Sequence, residues 1–198
     1  MIPNFPQRDE QPVLMPLKQR GELKMVFISR IHPKKNLAFI LEVLAKTYQG
    51  NILFDIYGGP DDIKYDQQCK SLAAQLPPTV QVRFKGPLSH KNVFETLYQY
   101  HLFALPTLGE NFGHAIFESL SAARPVLISD KTPWRKLREV YAGWDVPLNA
   151  ANEYQAIIQQ TLNMEQPEFG KWVEGARQFA LQFVNRSDYK GKYTSLFQ

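Results

Sequence analysis

Short, almost uninterrupted apolar runs alternate with stretches whose apolar residues recur at helical spacing, and that alternation leaves the chain few folds to choose from. The run Leu23-Lys24-Met25-Val26-Phe27-Ile28 has the length of a strand and the composition of one buried on both faces. Pro33 stands where a helix can begin. Leu37, Ile40, Leu41 and Leu44 follow at helical spacing, with Gly50 expected to close that helix. Residues 52–57 read as a second strand ending at Gly58-Gly59-Pro60, then a helix over 63–76 stopped by Pro77-Pro78. Val80, Val82 and Phe84 alternate with Gln81, Arg83 and Lys85, which predicts a half-exposed strand at the sheet edge. A helix near 91–100 leads to the apolar strand 102–105, a helix near 113–122 leads to the strand 126–128, and a short strand over 144–146 follows. Tyr154, Ile157, Ile158, Thr161 and Leu162 mark a further helix, and an aromatic-rich helix over 169–183, read as core, comes last.

Strands alternating with helices imply an α/β fold: a doubly wound, Rossmann-like parallel sheet in a single domain over residues 22–198. Residues 1–21, with Pro3, Pro6, Pro12 and Pro16, read as a linker or extended lead-in. Ligands of such sheets bind beyond the carboxyl ends of the strands, so the informative loops are 29–35, 58–62, 86–88, 106–113 and 129–134.

Composition narrows the partners. Hydrophobic residues at 44% and charged residues at 21% argue against disorder. The one cysteine, Cys69, excludes an internal disulfide and a cysteine-rich metal site, and it is expected to pack within a helix. With no apolar run of membrane-span length and no leader pattern at the start, a cytoplasmic chain is expected. A net charge of +4 favours acidic partners weakly. The basic residues are scattered apart from Lys34-Lys35 and the group Arg135, Lys136 and Arg138, which reads as solvated. No basic helical stripe with stacking aromatics is present, so nucleic acid is not an expected partner.

Three loops carry candidate chemistry. Arg30 closes a buried strand, and Lys34 and Lys35 are expected in the first turn of the next helix. Exposed cations there oppose the helix dipole by about 0.3–1 kcal/mol each. A bound phosphate would offset that repulsion; otherwise the lysines are solvated charges at a helix start. Gly58-Gly59-Pro60-Asp61-Asp62 allows close approach of a ligand, or is a plain turn with an aspartate cap. It is not a dinucleotide fingerprint, and the chain has no Walker A pattern. In the third loop Glu110 precedes a helix start, and Glu118 lies about two helical turns further on. Gly113 between them lets a ligand approach the first N–H groups of the helix. Carboxylates at that place can bind the hydroxyls of a polyol while the N–H groups meet an anion. Either glutamate alone could equally complement the dipole or face water.

The two glutamates are embedded in P-T-x-x-E-N-F-G-x-x-x-x-E-S-L-S-A-A-R-P-V-L-I-S-D, starting at Pro106. Arg30 and Lys35 form an R-x-x-x-x-K element, Gly58-Gly59-Pro60 and the stretch 82–86 follow in order, and Ile2-Pro3-Asn4 opens the chain. Together with the tail at 193–197, these motifs resemble the nucleotide-sugar half of group 1 retaining glycosyltransferases of the two-domain GT-B architecture. The resemblance implies that Arg30 and Lys35 hold the donor diphosphate and stabilise its charge as it leaves. It implies that Glu110 contacts the transferred sugar, that Glu118 binds the ribose hydroxyls, and that backbone groups of Asn111, Phe112 and Gly113 meet sugar or phosphate. Gly86, Pro87 and Leu88 would lie along the base, with Gly58 and Gly59 in an equivalent donor loop. The implied reaction is hexosyl transfer to a glycan or lipid with retained anomeric configuration and no metal or other cofactor; the chain has no D-x-D.

The resemblance further implies a partner, an N-terminal acceptor domain absent from this chain, so that donor binding is expected and transfer alone is not. Any membrane contact of the whole enzyme, at the inner membrane surface, would run through that half. Two departures stand out. Lys131-Thr132-Pro133-Trp134 follows Asp130 where the family often has a Gly-Gly turn, and Phe5 replaces the junction glycine. The first leaves the donor's identity open. His32 is expected as a helix-start residue and His114 as a variable position, neither of them catalytic. The alternatives are a nucleotide-sugar epimerase of the same architecture, a non-catalytic nucleotide-binding domain, and a basic nucleic-acid-binding module.

Overall fold

The computed structural model describes residues 14–46 and 48–185. The strands are β1 Glu22–Ile28, β2 Asn51–Tyr57, β3 Val80–Gly86, β4 Leu102–Leu105, β5 Val126–Ser129 and β6 Gly143–Val146. They form one sheet in the order β3-β2-β1-β4-β5-β6, every neighbouring pair parallel. The helices are α1 Leu37–Leu44, α2 Ile63–Ala73, α3 Val93–Leu97, α4 His114–Ser121, α5 Ala151–Asn163 and α6 Gln166–Asn185. The continuous apolar runs become the inner strands: every residue of β4 and β5 is buried, as are Met25, Val26 and Phe27 of β1. The alternating run becomes the edge strand β3, with Gln81, Arg83 and Lys85 exposed. Strand order reverses between β1 and β4, which opens a crevice beyond the carboxyl ends of those two strands.

Several expected boundaries are corrected. Lys34 and Lys35 do not lie in the first turn of an α-helix. They belong to a separate 3-10 turn, Pro33–Lys35, which the His32 ring caps by accepting from the Lys34 N–H. Asn36 then adopts a left-handed conformation (φ 58°) that breaks the path, and α1 starts afresh at Leu37. Gly50 does not close α1, which ends at Leu44. Gly50 (φ 144°) serves a close approach instead, since a Cβ there would lie 2.5 Å from the carbonyl oxygen of Gly21. The helix expected over 63–76 ends at Ala73. The helix near 91–100 is only the short α3 after a 3-10 turn at His90–Asn92, because Tyr100 and His101 turn inward to buried partners.

The end of the proline-rich lead-in is not a free linker. Lys18 is buried, and its ammonium donates to the carbonyls of Gln19, Leu162 and Met164. The buried Arg124 donates to the carbonyl of Leu14. His101 Nδ1 accepts from the Lys24 N–H, so its Nε2 is the donor to the Leu17 carbonyl. Burial holds that ring neutral, pushing its pKa down to about 4, and pushes the Lys18 ammonium down to about 8. The I-P-N segment, Phe5 and the tail at 193–197 lie outside the described residues.

On the far side of the sheet, Arg83 of β3 stands in register with Asp55 of β2 and donates twice to its carboxylate at 2.6 Å. The Tyr100 hydroxyl donates to the same group at 2.6 Å. Burial raises the Asp55 pKa, but these hydrogen bonds and the positive charges of Arg83 and Lys85 outweigh it and hold the carboxyl below its ordinary value. Cys69 is buried in α2, and burial pushes its thiol up to about 11, as suits a packed side chain.

Candidate functional site

Backbone hydrogen bonds stitch together the loops after β1, β4 and β5. The Lys34 carbonyl accepts from the Leu108 N–H at 2.8 Å and from the buried Thr107 hydroxyl at 3.0 Å. The Thr107 carbonyl accepts from the Ser129 hydroxyl at 2.5 Å. The Glu110 N–H donates to the Lys131 carbonyl at 3.1 Å, and Trp134 Nε1 donates to the Phe112 carbonyl at 2.5 Å. The segment Lys131-Thr132-Pro133-Trp134 therefore holds the 110–113 loop from below. Trp134 is itself fixed by stacking on Phe117 of α4 and by Phe183 of α6.

Above this scaffold lies a cleft of ≈ 740 Å³ with Arg30, Lys35, Glu110, Asn111, Gly113 and Glu118 in its lining. Lys35 Nζ and a Glu110 carboxylate oxygen are 2.5 Å apart, with only 17% and 12% of the two side chains exposed. Arg30, far more open, pairs with Asp61 at 2.7 Å. Asp61 is delivered by a bridge between Ile31 and Pro60, in which the Asp61 N–H donates to the Ile31 carbonyl. Glu118, on α4, faces His90 Nδ1 at 3.3 Å. Burial raises the Glu118 pKa and the His90 charge opposes that rise. Gly113 (φ 80°, ψ 65°) starts α4, a left-handed conformation in which any Cβ would also press on Ile116 at 2.9 Å. The cleft thus offers three cations (Arg30, Lys34 and Lys35), three carboxylates (Asp61, Glu110 and Glu118) and the opening turn of a helix around one space, a set suited to a molecule carrying both phosphates and hydroxyls.

Arg30, Lys35, Glu110, Asn111, Phe112, Gly113 and Glu118 are brought together as lining of this cleft. Gly58, Gly59, Gly86, Pro87 and Leu88 are not in its lining; the loops after β2 and β3 meet instead at Gly58 and Gly86, with Gly58 against the backbone of Ser29 and Arg30. The Gly58 N–H donates to the Gly86 carbonyl at 2.9 Å, and a Cβ on Gly58 (φ 157°) would lie 1.9 Å from the Ser29 carbonyl oxygen. Gly59 faces Pro87. Asp61 belongs to the second candidate loop, where the sequence gives it no partner, and His90 is not singled out by the sequence. The chance to find them lay in their position, each a short step beyond a strand end that feeds the crevice. His32 and His114 also line the cleft, His32 as the cap of the 3-10 turn rather than the start of the α-helix expected there. Among the described residues no helix is long and apolar enough to cross a membrane, and no three His, Cys, Asp or Glu side chains are grouped to hold a metal ion.

The family model for glycosyl transferases of group 1 matches residues 15–179. No curated protein matches the chain in sequence. Among solved structures it is similar to the catalytic domain of a cholesterol-alpha-glucosyltransferase from Helicobacter pylori. Identity is 20% and the TM-score 0.65, over 81% of this chain and 98% of that one. It is similar to a sucrose-phosphate synthase from Thermosynechococcus elongatus at 19% identity and TM-score 0.69, over 94% of this chain and 47% of that one. An Anabaena protein, HepE, solved with UDP and glucose, is similar at 19% identity and TM-score 0.66, over 88% of this chain and 48% of that one. At these identities the likeness establishes the fold. The chain spans less than half the length of the latter two proteins.

Proposed function

The chain belongs to the group 1 glycosyl transferases, and from that membership we propose that the cleft between β1 and β4 is the donor site of a retaining hexosyltransferase. It takes a nucleoside diphosphate sugar and, completed by an N-terminal acceptor domain, passes the sugar to a glycan or lipid. The observation that carries this reading is the convergence of Arg30, Lys35, Glu110 and Glu118 on one cleft at the point where strand order reverses. The complex of HepE with UDP and glucose supports a nucleotide sugar as ligand. In this reading Arg30 and Lys35 meet the diphosphate and stabilise the charge that develops on it, so no metal is required for that task. Glu110 takes hydroxyls of the sugar and Glu118 takes those of the ribose. Gly58, Gly59, Gly86, Pro87 and Leu88 shape the wall on the base side, by holding the strand-end turn on which Arg30 sits.

Calorimetric titration with UDP, GDP and ADP tests the proposal. One nucleotide is expected to saturate the chain, and binding is expected to fall at least tenfold in both Arg30→Ala and Glu118→Ala, on the scale of a lost charge-assisted contact of about 1.5–3 kcal/mol. Binding that is indifferent to both substitutions would refute the assignment of the cleft.

A further inference from the structure

We infer that the Lys35–Glu110 ion pair is a product-release device, in which the diphosphate and Glu110 compete for Lys35 and only a nucleotide still carrying its sugar satisfies both. The inference rests on the donor-site reading above and adds to it a reason for the product to leave.

The pair is built into the scaffold. Lys35 follows directly on the residue whose carbonyl is tied to Thr107 and Leu108, and Glu110 is held by its own N–H to the Lys131 carbonyl. The ammonium and carboxylate are therefore delivered to each other by backbone placement, at 2.5 Å and with less than a fifth of either side chain exposed. Arg30 is already paired with Asp61. A diphosphate entering the cleft thus meets Arg30 and Lys35 already engaged in ion pairs, with Lys34 beside them, and taking Lys35 strips Glu110 of its donor. A half-buried carboxylate left beside an incoming anion is costly through both desolvation and like-charge repulsion.

A sugar on the diphosphate changes that balance. Its hydroxyls donate to Glu110 and replace the ammonium, so Lys35 can turn to the phosphates without leaving a carboxylate unpaired. Once the sugar has been transferred those hydroxyls are gone. Glu110 regains Lys35, and the diphosphate loses a cation. Glu118 takes no part in this exchange because it has its own partner, His90. Glu110 is thereby a specificity-determining residue: it makes the site prefer the sugar nucleotide to the bare diphosphate.

The test is calorimetry of wild-type protein, Glu110→Gln, Lys35→Met and the double variant. The ligand pairs are UDP with UDP-glucose, GDP with GDP-mannose, and ADP with ADP-glucose, with melting curves confirming that each variant is folded. Wild type is expected to bind the sugar nucleotide about tenfold more tightly than its diphosphate, and Glu110→Gln to tighten the diphosphate about tenfold and erase that preference. Lys35→Met leaves Glu110 bare beside the diphosphate and should weaken diphosphate binding, and adding Glu110→Gln should bring the affinity back to about the wild-type value, a rescue that a simple binding role for Glu110 would not produce. Diphosphate affinity that is unchanged or weaker in Glu110→Gln overturns the inference while leaving the donor site standing, provided Arg30→Ala still weakens binding at least tenfold. Failure of all six ligands to bind any of the four proteins would sink the donor-site reading itself.

Discussion

Removing Arg83 should destabilise the fold without touching the cleft. Asp55 is 1% exposed and owes its ionised state to two Arg83 hydrogen bonds and one from Tyr100, each 2.6 Å long. In Arg83→Ala the carboxylate keeps only the tyrosine. Breaking a fully buried ion pair costs about 3–5 kcal/mol, but 43% of the Arg83 side chain is exposed and water can follow it in, so we expect about 2 kcal/mol. For a domain of this size that is a fall in Tm of about 4–8 °C, readable by circular dichroism. The pH dependence gives a second handle. The folded-state pKa of Asp55 is depressed, so its stabilising contribution is complete above the unfolded carboxyl value of about 3.9 and is lost as pH falls through the folded value. The difference between wild type and Arg83→Ala should therefore be full at neutral pH and shrink progressively below about pH 4. A Tm change under about 1 °C at neutral pH, or a loss of the same size at neutral pH and in strong acid, would refute the reasoning.

Two further substitutions probe the scaffold under the cleft. Gly58→Ala places a methyl 1.9 Å from the Ser29 carbonyl oxygen at a positive φ, so the turn must shift and carry Arg30 with it; we expect about 2 kcal/mol or more of lost stability in urea melts and a parallel loss of nucleotide affinity by calorimetry. Trp134→Phe keeps a ring against Phe117 but removes the N–H that donates to Phe112; a loss of about 1 kcal/mol and a several-fold weaker nucleotide titration are expected, and unchanged titration would show that the 110–113 loop stands without it.

Much of the fold was legible because its signals are local. A strand buried on both faces must be apolar at every position, so β1, β4 and β5 declare themselves, and an edge strand that is half wet must alternate, so β3 does too. The boundaries that differ from expectation are decided by partners distant in sequence or by a backbone conformation that the residue type does not announce. The helix expected to run to residue 100 stops at Leu97 because Tyr100 turns to Asp55, forty-five residues away in the chain. The lysines expected in a helix sit in a 3-10 turn because Asn36 takes a left-handed conformation that asparagine tolerates but does not announce.

The candidate site divides the same way. By itself the sequence determined which residues stand at the strand ends: Arg30 and Lys35 after one buried run, Glu110 and Gly113 after another, with Glu118 two turns along the helix that follows. Those are consequences of spacing, and spacing is covalent. Only the tertiary structure decided who meets whom. Arg30 pairs with Asp61, Lys35 with Glu110 across seventy-five residues, and Glu118 with His90. Such pairings depend on strand order, which sets the crevice between β1 and β4, and on carbonyl contacts such as those at Lys34 and Lys131, which no side-chain pattern encodes. A charge's partner is fixed by where two loops are brought together in space, and that distance is a property of the packed sheet.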